Sequence, residues 1–183
     1  MRKNIYIIRH CKAEGQPSES QLTERGFMQA NELADFLTNK KVERIISSPF
    51  LRAIQSIEPF AKSANIEVEI DSRLSERVLS SRSYPDWLEK LHATFNDVEL
   101  KYEGGESSKE AMYRIVKVVE DIVASGADNT IIVTHGNIMS LLLNYYDKSF
   151  GFEQWKGLSN PDVFLLQFIH NGFSIEHLWK RTF

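Results

Sequence analysis

The sequence predicts an α/β fold in which a mostly parallel, mixed sheet is covered by helices on both faces. Short β-branched runs alternate with longer segments of helical periodicity, which is typical of parallel strands joined by helices. A hairpin signal near the end of the chain, His170-Asn171-Gly172, adds antiparallel strands to the sheet. The 183 residues suit one domain, and we see no linker that would divide 1–183.

The predicted strands are short apolar runs that end in turns or helix starts. Those expected to be parallel lie at Ile5–Ile8, Val42–Ile46, Ile66–Ile70 and Thr130–Thr134. Val163–Ile169 and Phe173–Trp179 flank the hairpin turn.

Periodicity and capping residues predict the helices between the strands. The first helix covers Leu22–Thr38, and Thr23 is its expected cap. Its predicted apolar face consists of Phe27, Ala30, Leu33, Ala34 and Leu37. Ser48-Pro49 is typical of a helix start, with Ser at the cap and Pro at the first helical position. Ser107 and Glu110 match a capping box, and a leucine-rich helix follows His135-Gly136-Asn137.

Composition and charge exclude several classes of function. Lys and Arg number 22 against 25 Asp and Glu, a net charge of −3, so no basic excess favours nucleic acid or an anionic membrane surface. Every apolar run is too short for a transmembrane helix or a signal peptide. One cysteine rules out an internal disulfide and suits a reducing compartment, so we expect a cytoplasmic protein.

Cationic and donor groups collect at the predicted strand ends. Arg9 and His10 follow the first strand, Arg52 lies in the first turn after the second, and His135 follows the fourth. Ligands of open α/β sheets bind at the carboxyl ends of the strands, where helix starts add free N–H groups. The expected ligand is therefore a compact, multiply charged anion, and phosphate suits the site best.

These residue types are also sufficient for phosphoryl transfer. An imidazole is largely neutral near pH 7, so its nitrogen can attack phosphorus and form a phosphohistidine. Arginines would hold the oxygens on which charge develops. The leaving alkoxide needs a proton, and Glu76, which follows the third strand, is the candidate carboxylic acid.

The chain resembles the histidine phosphatase superfamily, in its phosphoglycerate-mutase-like branch. Six motifs occur in the family's order: Arg9-His10, Leu22-Thr23-Glu24-Arg25-Gly26, Ser47-Ser48-Pro49-Phe50-Leu51-Arg52, Leu74-Ser75-Glu76-Arg77, Gly104-Gly105-Glu106-Ser107 and Val133-Thr134-His135-Gly136-Asn137. The short length resembles that of the phosphatases in this branch. The resemblance implies a three-layer α/β/α sandwich and a metal-independent phosphomonoester hydrolase without a cofactor.

The same resemblance assigns roles to individual residues. His10 would be the nucleophile, and Arg9, Arg52 and His135 would bind the phosphoryl group. Glu76 would be the general acid and then the base. The partner implied is a small-molecule phosphomonoester or phosphate.

Four positions after the nucleophile depart from the family pattern. The family usually has Gly and then Glu-Thr after the histidine, whereas this chain has Cys11 and then Lys12-Ala13. Gln16 stands where the family commonly has Asn, and we expect it to donate to a phosphate oxygen. The Cys11 side chain either narrows the pocket or points into the core.

Other functions remain open. His10-Cys11 resembles the start of a cysteine-dependent phosphatase loop, but that loop needs an arginine where this chain has Pro17. A phosphoglycerate mutase is disfavoured by length, and a non-catalytic phosphate-binding protein by the presence of Glu76. A metal site of His10, His135 and Glu76 lacks a paired i, i+4 histidine motif.

Residues 77–103 are predicted to be an insertion over the active site that carries substrate specificity. Its helix is predicted at Asp86–Phe95, with an apolar side made of Trp87, Leu88, Leu91 and Phe95. The residues expected to meet a second charge or a ring of the substrate are Arg77, Arg82, Tyr84, Trp87 and Lys90. Trp87 would equally serve as an anchor to the core. The C-terminal hairpin would leave either an exposed edge for homodimer pairing or an edge covered by a helix.

Overall fold

The computed structural model describes residues 1–179 of the chain. Its elements in chain order are β1 (Arg2–Arg9), α1 (Glu24–Leu37), β2 (Arg44–Ser47), α2 (Leu51–Ala64), β3 (Val68–Ile70), a 3₁₀ turn (Ser72–Leu74), α3 (Trp87–Asn96), α4 (Ser108–Ala124), β4 (Asn129–Thr134), α5 (Gly136–Tyr146), α6 (Phe152–Lys156), β5 (Asp162–Ile169) and β6 (Gly172–His177).

The six strands form one mixed sheet in the order β3-β2-β4-β1-β5-β6. β1, β2, β3 and β4 run parallel, whereas β5 is antiparallel to β1 and pairs with β6 as a hairpin. The predicted mostly parallel sheet with an antiparallel addition is therefore confirmed. β1 lies between β4 and β5, so the residues that follow it occupy the centre of one sheet edge.

Two apolar clusters, one on each face of the sheet, make the molecule a three-layer α/β/α sandwich. Side chains alternate across β1, so Ile5 and Ile7 pack with α4 and α5, whereas Tyr6 and Ile8 pack with α1 and α2. This burial on both faces explains why the parallel strands are continuous apolar runs. Within residues 1–179, no helix combines the length and apolar character needed to cross a membrane.

Local capping chemistry agrees with several predictions. The Thr23 hydroxyl accepts the N–H of Gly26 at 3.0 Å and so caps α1. Ser107 and Glu110 form the expected reciprocal capping box at the start of α4. The hairpin turn lies where predicted, with Ile169 paired to Gly172.

Other local predictions were wrong. α2 begins at Leu51 rather than at Pro49, and Ser48 does not cap it. Phe27 is 43 % exposed, since the buried face of α1 includes Gly26 at that turn. On α3, Leu91 is buried as predicted, but Trp87 and Leu88 are exposed. The short helix α6 had no sequence prediction.

Candidate active site

One cavity of about 150 Å³ lies at the sheet edge where β1 and β4 end. It is lined by Arg9, His10, Lys12, Ala13, Gly15, Gln16, Arg52, Glu76, Gly136 and Asn160. Every predicted site residue except His135 is therefore a lining residue. His135 is fully buried beside them, with its ring centroid 5.2 Å from that of His10.

The hydrogen bonds of His10 assign the tautomer of its ring. Nδ1 lies 2.7 Å from the carbonyl oxygen of Cys11, which can only accept, so Nδ1 carries the proton. Nε2 is then unprotonated, and its lone pair accepts the Nε–H of Arg52 at 3.3 Å. Burial, reinforced by Arg52 and Arg9, lowers the pKa of His10 to about 3, whereas its bond to the Cys11 carbonyl acts in the opposite direction. The ring is therefore a neutral base with Nε2 unprotonated.

Arg52 is anchored by the loop that follows β1. Its Nη1 donates to the carbonyl oxygens of Gln16 and Pro17 at 3.0 and 2.8 Å. The residue is only 2 % exposed, and burial lowers its pKa, but a guanidinium stays protonated throughout the physiological range. Arg52 thus brings a fixed positive charge to the ring of His10.

Arg9 supplies a second buried guanidinium on the other side of the site. Its Nη1 donates to the carbonyl oxygens of Leu158 and Ser159 at 3.2 and 3.4 Å. Its Nε is buried and has no hydrogen-bond partner among residues 1–179. An unpaired buried donor beside a polar cavity is available to an anionic ligand.

His135 carries another unpaired donor. Its Nε2 lies 2.8 Å from the Ser48 hydroxyl, which already accepts the N–H of Phe50. Within residues 1–179 this hydroxyl has no other hydrogen-bond acceptor, so we assign its proton to the bond with Nε2 and the proton of the neutral ring to Nδ1. Nδ1 is buried and unpaired within the described part of the chain. Burial, followed by the charges of His10 and Arg52, lowers the pKa of His135 well below its usual value.

The Glu76 carboxylate lies against the first turn of α5. Oε2 accepts the N–H of Asn137 at 3.0 Å, while Oε1 accepts those of Ile138 and Arg77 at 2.9 and 2.7 Å. Helix N-termini favour such anionic groups. Three of the four lone-pair positions are used, and the free one lies on Oε2.

Arg114 fixes the backbone that carries Glu76. Its Nη1 donates to the carbonyl oxygens of Arg73 and Ser75, both at 2.7 Å, and its Nη2 to that of Glu76 at 3.3 Å. Glu106 holds the guanidinium from the other side, at 2.9 Å from both Nε and Nη2. Glu106 belongs to the Gly104-Gly105-Glu106-Ser107 motif and Arg114 lies in α4, but the contact between them and the backbone around Glu76 was not predicted.

Asn160 is a lining residue that sequence reasoning missed. Its Nδ2 donates to the carbonyl oxygen of His10 at 2.8 Å. Because β5 runs antiparallel to β1, its amino end meets the carboxyl end of β1, so this residue can be located once that pairing is known. Gln16, which was predicted, lies exposed at the cavity mouth.

The predicted contribution of 77–103 to the cavity is not seen, because none of its residues is a lining residue. Arg77 is 6 % exposed, and its guanidinium donates to the carbonyl oxygen of Glu106. Arg82 is paired with Glu103. Lys90 is paired with Asp86 and lies over the rings of Tyr84 and Tyr102. These three cations are thus committed to structural contacts.

Cys11 points into the core rather than into the cavity. It is fully buried, and burial raises the pKa of its thiol to about 12. A thiol in this state is not a nucleophile. The position therefore offers no support for a cysteine-dependent phosphatase.

Two proteins of Hydrogenobacter thermophilus are similar in sequence. One, named phosphoserine phosphatase 1, is 27 % identical over 152 residues, covering 70 % of this chain and 68 % of its own. The other is 28 % identical over 156 residues, covering 77 % of each chain.

Solved structures share the fold. YhfR of Bacillus stearothermophilus superposes with a TM-score of 0.80 at 21 % identity, over 96 % of both chains. A mycobacterial glucosyl-3-phosphoglycerate phosphatase gives 0.75 at 22 % identity, over 91 % of both. The family model of the histidine phosphatase superfamily, branch 1, matches residues 5–180. The chain therefore belongs to the histidine phosphatase superfamily, branch 1.

Proposed function

We propose that the protein is a phosphomonoester hydrolase that works through a phosphohistidine on His10. The observation that carries this proposal is the tautomer of His10. Its protonated Nδ1 is held by a backbone carbonyl, and its unprotonated Nε2 lies among the groups of a cationic cavity. A neutral imidazole nitrogen held in one orientation is a competent nucleophile toward phosphorus.

The phosphoryl group binds between the two guanidinium groups. Arg9 and Arg52 are rigidly held cations, and the unpaired Arg9 Nε and His135 Nδ1 are donors for phosphoryl oxygens. The amide of Gln16 adds a donor at the mouth. Donors fixed in a partly water-excluded site stabilise the charge that develops on these oxygens without reorganising.

Glu76 acts first as the general acid and then as the general base. As Nε2 of His10 attacks phosphorus, the bond to the leaving oxygen breaks, and Glu76 in its carboxylic acid form transfers the proton on Oε2 to that oxygen, becoming a carboxylate. Water then attacks phosphorus and gives its proton to Glu76, and the phosphorus–nitrogen bond breaks to release phosphate. Both steps balance without a metal ion or an organic cofactor.

The names of similar proteins favour hydrolysis of small phosphate esters. One relative is named a phosphoserine phosphatase, and one structural neighbour a glucosyl-3-phosphoglycerate phosphatase. A structural neighbour is also described as a phosphoglycerate mutase, so transfer to a second hydroxyl is the alternative outcome.

The test is hydrolysis of an aryl phosphate in the presence of a chelator by the wild type and by His10→Ala. We expect turnover by the wild type only, and a labelled protein phosphate that survives alkali but not acid. Glu76→Gln should slow alkyl phosphates far more than aryl phosphates, because aryl oxides leave without a proton. An active His10→Ala protein would overturn the assignment of the nucleophile.

A further inference from the structure

We infer that Lys12 binds a carboxylate on the organic part of the substrate. This inference deepens the proposed function and rests on it. Lys12 lines the cavity and is exposed, at the position where the family pattern has glutamate. The expected substrates are phosphate esters with a carboxylate a few atoms from the phosphoryl group.

The size of the cavity leaves the organic part of the substrate at the mouth. At about 150 Å³ it is smaller than the roughly 300–1,000 Å³ of pockets that enclose drug-sized ligands. The buried guanidinium groups and His10 take the phosphoryl group in the interior. The remainder of the ester therefore meets exposed lining residues, which include Lys12 and Gln16.

The ammonium group of Lys12 is a positive charge at the cavity mouth that has no carboxylate partner among residues 1–179. Most other lysines among residues 1–179 are paired with a carboxylate, as Lys109 is with Glu99, but Lys12 has no ion pair in that part of the chain. Glu76, the one carboxylate among the lining residues of the described chain, is held by backbone N–H groups instead.

The backbone of Lys12 is fixed on both sides. Its N–H donates to Oε1 of Gln29 at 2.9 Å, and its carbonyl oxygen accepts the N–H of Thr23 at 3.0 Å. The side chain therefore starts from a rigid point two residues after the nucleophile. One ammonium group matches a singly charged carboxylate, whereas a second phosphate would require a larger set of donors, as the first one has.

The experiment uses two pairs of esters that differ only at the carboxylate. These are phosphoserine against phosphoethanolamine, and 3-phosphoglycerate against glycerol 3-phosphate. For each pair, the measured quantity is kcat/KM for the ester with the carboxylate divided by kcat/KM for the ester without it. We expect Lys12→Gln to lower this ratio about two- to fivefold, the size expected for one exposed ion pair. Lys12→Glu should lower it further. Lys41→Gln, a change at another exposed lysine, should leave the ratio unchanged.

Equal ratios in the wild type and Lys12→Gln would overturn the inference. A larger effect of Lys12→Gln on a bisphosphorylated glycerate than on 3-phosphoglycerate would overturn the choice of a carboxylate. A binding measurement that does not depend on turnover distinguishes failure of this inference from failure of the proposed hydrolase activity. The non-hydrolysable phosphonate isostere of phosphoserine should bind more tightly than its decarboxylated analogue, and Lys12→Gln should reduce the difference, whether or not any ester is hydrolysed.

Discussion

The guanidinium group of Arg9 lies directly against the α-carbon of Gly136. A β-carbon at position 136 would stand 2.9 Å from Nε and 3.0 Å from Cζ of Arg9. Gly136→Ala should therefore displace the guanidinium and lower kcat/KM about ten- to hundredfold, the loss expected for one or two charge-assisted hydrogen bonds. Steady-state kinetics on an aryl phosphate measures this effect.

The same change should leave the fold intact. The clash involves the guanidinium end of the Arg9 side chain rather than backbone atoms, and alanine favours the helix that begins at Gly136. Tm should therefore change little. Gly126→Ala is the matched control, because a β-carbon there meets nothing within 4 Å. Unchanged kinetics in Gly136→Ala would show that the observed position of Arg9 is not needed.

Arg114 should affect catalysis through the position of Glu76. Arg114→Lys keeps the charge but loses the fork that binds the carbonyl oxygens of residues 73, 75 and 76. We expect kcat to fall about tenfold more for alkyl than for aryl phosphates, with a loss of about 1–3 kcal/mol in the free energy of unfolding. Equal losses on both leaving groups would make the contribution of Arg114 purely structural.

Cys11 should be dispensable for catalysis. Since its thiol is fully buried with a pKa raised to about 12, Cys11→Ser should keep kcat within about threefold of the wild type. Stability should fall by about 1–3 kcal/mol, because the serine hydroxyl is more polar than the thiol. Kinetics and urea unfolding measure the two effects. A loss of activity of several orders of magnitude would restore the cysteine as the nucleophile.

The lowered pKa of His10 has a consequence for stability at acidic pH. In the unfolded chain His10 binds a proton near pH 6.5, whereas in the folded protein it does so only near pH 3. Within this window the unfolded state holds the extra proton, so the free energy of unfolding decreases as pH falls. Between pH 6.5 and 5 this group contributes a loss of about 2 kcal/mol.

Urea unfolding at pH 7 and pH 5 measures this loss. His10→Asn should lose about 2 kcal/mol less than the wild type over the same interval, since asparagine does not titrate. For the same reason, wild-type kcat on an aryl phosphate should show no acid limb near pH 6.5 from the nucleophile. Parallel loss of stability in the two proteins would contradict the lowered pKa.

The parts of the fold that depend on local chemistry were predictable. Thr23, the capping box at Ser107 and the turn at His170-Asn171-Gly172 act within a few residues, and each lies where the sequence placed it. The strand-end rule, applied to an inferred strand order, also predicted that Arg9, His10, Arg52 and Glu76 lie together, and all four line the cavity.

The parts that depend on tertiary pairing were not predictable. Asn160 reaches the site because β5 pairs with β1, and nothing near Asn160 in the sequence indicates that pairing. Serine is a residue type that commonly caps helices, but the hydroxyl of Ser48 is hydrogen-bonded to the ring of His135 and does not cap α2. Arg77 follows Glu76 in the motif, yet its guanidinium is buried and donates to the Ser108 hydroxyl and to the carbonyl oxygen of Glu106 rather than lining the cavity.

The alignment of Arg9 has a consequence for synthesis of the chain. Arg9 is in register with Thr134 of β4 on one side and with Asp162 of β5 on the other. The cavity at the end of β1 therefore depends on two strands that come much later in the sequence. A nascent chain that ends before Leu158 lacks the carbonyl groups that hold Arg9 and the amide that binds the carbonyl oxygen of His10. We therefore expect Arg9 and the backbone of His10 to be held in place only after this segment has been synthesised.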